Sequence, residues 1–252
     1  MSVELNQLVT VANELLKPEA FSDYCPNGLQ VQGRRNVKKI VSGVTASLAM
    51  IEAAIEAQAD VLFVHHGFFW KGEDQCISGM KYERIKALIK ADVSLLAYHL
   101  PLDAHPVYGN NAQLAERLGI SVTGGLDQSA NPIGNVGCLA SPQTAQEFAD
   151  HVGKVLDRPP LLEVAGSHKV EKVAWCTGGA QGYLQRAAAL GVDLYLTGEA
   201  SEQTIHEARE LGVHFIAAGH HATESYGAPA VAGLLADQLG IEHQFINIHN
   251  PV

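Results

Sequence analysis

The chain repeats itself. The segment VKKIVSGVTASLAMIEAAIEAQADVLFVHHG (37–67) aligns without gaps on VEKVAWCTGGAQGYLQRAAALGVDLYLTGEA (170–200), at an offset of 133 residues. Val37 meets Val170, Asp60 meets Asp193, and two short apolar runs coincide. The same offset brings LQVQG (29–33) onto LEVAG (162–166). Each of these follows a helical pattern, ELNQLVTVANELL (4–16) and TAQEFADHVGKVL (144–156). Downstream, SLLAYHLPLD (94–103) faces FIAAGHHATE (215–224) at an offset of 121. The first copy therefore carries 133 minus 121, or 12, extra residues, within FFWKGEDQCISGMKY (68–82). A repeat over this much of the chain limits the fold to two versions of one supersecondary unit.

Each copy reads helix, strand, strand, helix, strand, helix, strand, loop, helix. The strands are short runs of Val, Ile, Leu and Phe, such as VLFV (61–64). The helices between them, such as LAMIEAAIEAQ (48–58), are Ala-rich with apolar spacing near 3.6. Such alternation indicates α/β layers over a parallel or mixed sheet. The expected fold is thus two similar α/β domains from an internal duplication, residues 1–128 and 129–252. The boundary lies in the Gly- and Asn-rich TGGLDQSANPIGN (123–135). The final strand, HQFINIH (243–249), is free to pair with either half.

Composition narrows the function. Net charge is −10, with 17 Lys and Arg against 27 acids, so nucleic acid is an improbable partner. The one basic cluster, GRRNVKK (33–39), reads as a solvated loop before a strand. No run approaches the roughly 18 apolar residues of a membrane span, and MSVELNQLV lacks the basic start of a signal peptide. Cys25, Cys76, Cys138 and Cys176 form no CxxC pair, which favours a reducing, cytoplasmic setting and disfavours a thiolate zinc site.

Chemistry collects at strand ends, where open α/β sheets bind ligands. VLFV ends in His65-His66-Gly67, SLLAYHLPL ends at Asp103, LYLT ends at Gly198-Glu199, and HFIAA ends in Gly219-His220-His221 with Glu224 following. Adjacent strand residues point to opposite faces, so His65 and His66 share a site only if the backbone turns at Gly67. At offset 121, His99 falls on His220 and Asp103 on Glu224, giving His-x-x-x-acid in both copies. In the second copy this pattern is expected to run into a helix, where i and i+4 share a face. In the first copy Pro101 argues against a helix start. A surface ion pair explains one such pattern; two of them near an HH pair favour a metal cluster built from His65, His66, Asp103, His220 and Glu224. Five such ligands suit two divalent cations better than one, with Zn, Mn, Fe or Ni favoured over Ca.

The segments DYCPNGLQVQG (23–33), VLFVHHGFFW (61–70), YHLPLDAH (98–105), YLTGEA (195–200) and GHHATES (219–225) resemble the Nif-three-like family, also called GTP cyclohydrolase I type two. The chain is similar to its compact bacterial members. The resemblance implies two related domains with a dinuclear metal site in the cleft between them. It implies His65, His66, Asp103, His220 and Glu224 as the ligands, with Glu224 bridging, and a homohexameric ring. His99, His221 and Glu199 are expected around the ligands rather than among them.

Two close cations lower the pKa of a shared water toward about 7 and stabilise a negatively charged transition state. The reading is a metal-dependent hydrolase of a small molecule. The family name suggests opening of the guanine ring of GTP with release of formate; another nucleotide or a phosphoester suits the site equally. No GxxxxGK[ST] loop is present. Lys71, Lys81 and Arg84 are candidates for holding a triphosphate, against a plain reading as a solvated insert. His99 and Tyr108 are candidates for a general acid, against ordinary packing roles. The alternative from another class is a non-enzymatic, ring-shaped metal-binding scaffold, whose cations contribute folding energy.

Overall fold

The computed structural model describes residues 2–252. In chain order the elements begin β1 (Val3–Glu4), α1 (Leu5–Leu16), β2 (Gly28–Val31), β3 (Asn36–Val37), β4 (Lys39–Thr45) and α2 (Leu48–Glu56). They continue β5 (Val61–His66), α3 (Gly79–Ala91), β6 (Ser94–Ala97), α4 (Leu100–Ala104), α5 (Asn110–Leu118) and β7 (Ser121–Gly125). Next come β8 (Asn135–Gln143), α6 (Ala145–Leu156), β9 (Leu161–Glu163), β10 (Val170–Trp175), α7 (Leu184–Ala189) and β11 (Leu194–Thr197). Last are α8 (Glu202–Leu211), β12 (His214–Ala217), α9 (His220–Thr223), α10 (Gly227–Leu239) and β13 (Glu242–Phe245).

The chain forms two compact units. The first takes the residues up to Leu102 together with Gly227–His249, and the second takes Asp103–Tyr226 together with Asn250–Val252. The division does not fall near residue 128. Strand pairing explains why. Helix α10 and β13 pack in the first unit, where β13 lies parallel on β4. Helix α5 and β7 pack in the second, where β7 lies antiparallel on β8. The closing helix and strand of each sequence half thus belong to the unit of the other.

In the first unit a five-stranded mixed sheet runs β13-β4-β5-β6-β2. Strands β4, β5 and β6 are parallel and β2 is antiparallel to β6. In the second a six-stranded sheet runs β7-β8-β10-β11-β12-β9, with β10, β11 and β12 parallel and β9 antiparallel to β12. The central strands are near-continuous apolar runs because both of their faces are covered. Val61–Val64 and Leu194–Leu196 are wholly buried. Helices start and stop where local chemistry directs. Ser47 caps α2, Thr144 and Glu147 form a reciprocal cap on α6, and glycines in the left-handed region end α5 and α8.

Register shows how closely the units correspond. Val41 lies opposite Leu62 on β4 and β5, and Ala174 lies opposite Tyr195 on β10 and β11, an exact shift of 133. The third strands follow a different shift: Ser94 pairs with Val61 and His214 with Leu194, so the offset there is 214 minus 94, or 120. Register therefore sets Ala97 on Ala217, and continuing it by two residues sets His99 on Gly219 rather than on His220. Since one residue of slip turns every strand side chain to the other face, register decides. The extra residues number 133 minus 120, or 13, and the offset returns to 121 at Gly119 and Gly240, which have φ of 67° and 65°.

Helix α4 corrects a second expectation. It includes Pro101 in its first turn, where a missing N–H removes no intrahelical bond. Among the described residues no helix is long and apolar enough to cross a membrane.

Candidate metal centre

In the first unit the site begins at the carboxyl end of β5. His65 is fully buried and His66 partly so. Their rings lie 4.4 Å apart between centroids although both residues lie on β5, and the chain bends only beyond Gly67. The turn is held by Gln30, whose Oε1 accepts from the Phe68 amide at 2.7 Å. A Cβ on Gly67 would fall on that same oxygen, which is why glycine stands there. His65 Nδ1 lies 3.1 Å from the Tyr98 carbonyl. A carbonyl only accepts, so Nδ1 carries the hydrogen and the ring's lone pair is on Nε2. His66 Nδ1 lies 3.0 Å from Thr45 Oγ1.

His99 follows β6, and its Nδ1 lies 2.7 Å from Asp23 Oδ1. Asp23 also accepts from Asn27 Nδ2 at 2.9 Å, from the Leu100 amide at 2.9 Å and from the Tyr24 amide at 2.6 Å. Burial alone would raise this carboxyl; the hydrogen bonds from His99 and Asn27 outweigh it and hold it at about 2. One nitrogen each of His65, His66 and His99 lies within 4.8 Å of the others. A second group on the same spacing is Asp23, Cys25 and His99. Burial, helped by Asp23, pushes the Cys25 thiol up to about 12, which keeps it a protonated, poor ligand. Cys76 is exposed, Cys138 half-buried and Cys176 buried, so half of the cysteines are core residues.

In the second unit Asp103 and Glu224 are buried, at 4% and 3% exposure, with carboxylate oxygens within 4.8 Å of one another. Asp103 Oδ1 accepts from Asn110 Nδ2 at 2.9 Å and from Thr177 Oγ1 at 3.2 Å. Asn111 donates to the Asp103 carbonyl at 3.2 Å and accepts from the Thr177 amide at 3.1 Å, locking α5 to the end of β10. The expected helix at His220 is the single turn α9. It brings His220 Nε2 to 3.1 Å from Glu224 Oε2. Thr223 Oγ1 donates to the Gly219 carbonyl and accepts from the Gly178 amide at 3.0 Å. Glu199 Oε1 lies 2.6 Å from His220 Nδ1. Burial would lower the His220 imidazole, but Glu224 and then Glu199 outweigh it and raise it to about 9. Gly178, with φ of 68°, lies so close that a Cβ there would fall on Glu224 Oε1.

Of the residues expected around the ligands, Glu199 and His99 each hold or are held by a specific partner. The His221 amide donates to the Val252 carbonyl at 2.9 Å, and its ring joins no metal-capable group among the described residues. Tyr108 packs its ring 5.4 Å from His105. Lys81 is drawn inward: its Nζ donates to the Asp74 carbonyl, pairs with Glu73 at 3.0 Å and sits 5.1 Å from the Phe69 ring centroid. It is an anchor of the insert. Sequence reasoning passed over Asp23, Asn110, Thr177 and Gly178. Asp23 stands in the quoted DYCPNGLQVQG, and the Gly178-Gly179 pair past β10 is the signal that could have pointed to a close backbone approach.

The donors gathered at these strand ends are imidazoles and carboxylates without thiolate, which fits a borderline divalent cation rather than a soft one. The fold and this chemistry define an α/β protein with two mixed-sheet units, each carrying residues able to hold metal. The chain belongs to the Duf34/NIF3 (NGG1p interacting factor 3) family, whose model matches residues 3–251. It is 56% identical to a protein of Pseudomonas aeruginosa, over 100% of both chains, and 52% identical to one of Vibrio cholerae, over 98% of both. Each of these is named GTP cyclohydrolase 1 type 2 homolog. Among solved structures it resembles protein ybgI, described as of unknown function, at 49% identity and a TM-score of 0.96, covering 99% of this chain and 100% of that one. It also resembles TTHA1606 from Thermus thermophilus, at 33% identity and a TM-score of 0.89 over the same shares.

Proposed function

We propose that His65, His66, Asp103, His220 and Glu224 hold two divalent cations, of Zn, Mn, Fe or Ni, and that the chain is a metal-dependent hydrolase. The observation that carries this reading is the pairing of Asp103 and Glu224. Two buried carboxylates within 4.8 Å repel unless a proton or cation is shared between them. His220 Nε2 lies 3.1 Å from Glu224 Oε2, and a cation bound to both would take the place of a proton between them. Glu199 fixes the His220 ring and the Tyr98 carbonyl fixes the His65 ring, which presents each Nε2 lone pair in a set direction.

The cations supply Lewis acidity and a low-pKa water. The protein supplies orientation: Asn110 and Thr177 aim Asp103, and Gly178 leaves Glu224 its position. The shared strand order β4-β5-β6-β2 and β10-β11-β12-β9 supports an origin by internal duplication, and the ligands of the two units are proposed to serve one dinuclear centre. The relatives' names make GTP the first substrate to test, with ring opening and formate release as the reaction, followed by other nucleotides and phosphoesters. The four free cysteines support a reducing, cytoplasmic setting. A homohexameric ring is the assembly proposed.

The test is metal content per chain by elemental mass spectrometry, on wild type and Glu224→Ala, followed by formate and phosphate assays on the loaded protein. Near two cations in wild type, a sharp loss in the variant and turnover of a nucleotide support the reading. Metal that stabilises the fold with no turnover of any nucleotide or phosphoester replaces it with the scaffold.

A further inference from the structure

We propose that His99 is itself a metal ligand, completing with His65 and His66 a three-imidazole face in the first unit, and that Asp23 is its positioning residue. The inference rests on the proposed metal centre and adds a ligand to the five named there.

The argument starts from the Nδ1 atoms. Each of the three rings has its Nδ1 engaged: His65 with the Tyr98 carbonyl at 3.1 Å, His66 with Thr45 Oγ1 at 3.0 Å, His99 with Asp23 Oδ1 at 2.7 Å. Carbonyl and carboxylate oxygens accept only, so His65 and His99 carry their hydrogen on Nδ1 and their lone pair on Nε2. That tautomer is the one a metal-binding imidazole adopts when a partner behind it holds the ring. One nitrogen of each ring lies within 4.8 Å of one nitrogen of the other two. Two imidazole nitrogens on one tetrahedral cation stand about 3.4 Å apart, from metal–nitrogen bonds of about 2.1 Å. The proposal requires each ring to turn about its Nδ1 contact until its Nε2 reaches that spacing.

Asp23 is built as a support. Its carboxylate, 3% exposed, accepts from Asn27, Tyr24, Leu100 and His99, which fixes it in place and leaves it facing the imidazole. Asn27 Oδ1 also accepts from the His99 amide at 2.7 Å, so backbone and ring are held from one segment. Trp70 packs at a right angle against the His99 ring, with centroids 5.0 Å apart. The competing grouping of Asp23, Cys25 and His99 asks Asp23 to give up its His99 contact and the buried Cys25 thiol to ionise. The three imidazoles ask neither.

The test uses full-length wild type, His99→Ala, His99→Gln, Asp23→Asn and His65→Ala, with far-UV circular dichroism to check folding. Glutamine still donates to Asp23, so His99→Gln stays informative if His99→Ala fails to fold. Zn affinity is read by competition with a chromophoric chelator, and coordination by the visible d–d absorption of the Co-loaded protein. Loss of His99 is expected to weaken one cation per chain by about tenfold or more and to change the Co spectrum. Asp23→Asn is expected to weaken the same cation by about tenfold to a hundredfold. Wild-type affinity and spectrum in both His99 variants, with loss in His65→Ala, overturn the inference and leave the metal centre standing. A wild type that binds no cation overturns both.

Discussion

Glu224 Oε1 occupies the space that a side chain on Gly178 would need. Gly178 lies three residues past β10 with φ of 68°, and its amide donates to Thr223 Oγ1, one residue before Glu224. Gly178→Ala therefore meets two costs, the left-handed backbone and the displaced carboxylate. We expect about 2–4 kcal/mol of destabilisation in urea unfolding and a loss of metal. An alanine variant with the wild-type midpoint and metal content contradicts this packing.

Glu199 acts on His220 from behind. Its Oε1 lies 2.6 Å from His220 Nδ1. Glu199→Gln can still fill the space, but it no longer offers a charged acceptor. Metal affinity is expected to fall by about tenfold to a hundredfold, with the fold retained. Isothermal titration with Zn checks it, and unchanged affinity removes Glu199 from the metal centre.

Asp103 relies on neutral donors within its unit. Asn110 Nδ2 and Thr177 Oγ1 both reach Oδ1 from buried positions. Asn110→Ala and Thr177→Val should each cost on the order of 1–3 kcal/mol in denaturant unfolding of the metal-free protein. Because both donors serve one oxygen, the double variant should depart from additivity. A strictly additive double variant argues that the two act independently.

His214 gives the fold a pH dependence away from the metal centre. It is fully buried on β12; its Nδ1 accepts from the Ala165 amide at 3.1 Å, and its Nε2–H faces the His168 carbonyl at 3.1 Å. Both contacts need the neutral ring, and burial holds its pKa below the ordinary 6.5. The unfolded chain thus binds the proton more readily. The stabilisation is present above pH 6.5 and is lost as pH falls below it, with a slope of at most about 1.4 kcal/mol per pH unit. Thermal unfolding between pH 7.5 and 5 in wild type and His214→Gln checks the sign. A variant with an unaltered pH profile assigns the dependence elsewhere.

The repeated pattern, by itself, determined that each half is α/β over a parallel or mixed sheet, because period and apolar run length are local properties that the exact shift of 133 between β4–β5 and β10–β11 preserves. It also marked the His65-His66-Gly67 and His220-to-Glu224 segments, since strand ends are visible as the places where apolar runs stop. Tertiary structure decided the rest. A ladder register cannot be read from one strand alone, so the shift of 120 at β6 and β12, which separates His99 from His220, appeared only in the sheets. The pairing of β13 with β4 was open for the same reason: an edge strand's partner is chosen by which sheet leaves it room. Asp23 stands 76 residues from the His99 ring it holds, and Gly178 stands far in sequence from the Glu224 carboxylate it makes way for. Contacts at such separations leave no period in a sequence, because only the closed fold brings their atoms within reach.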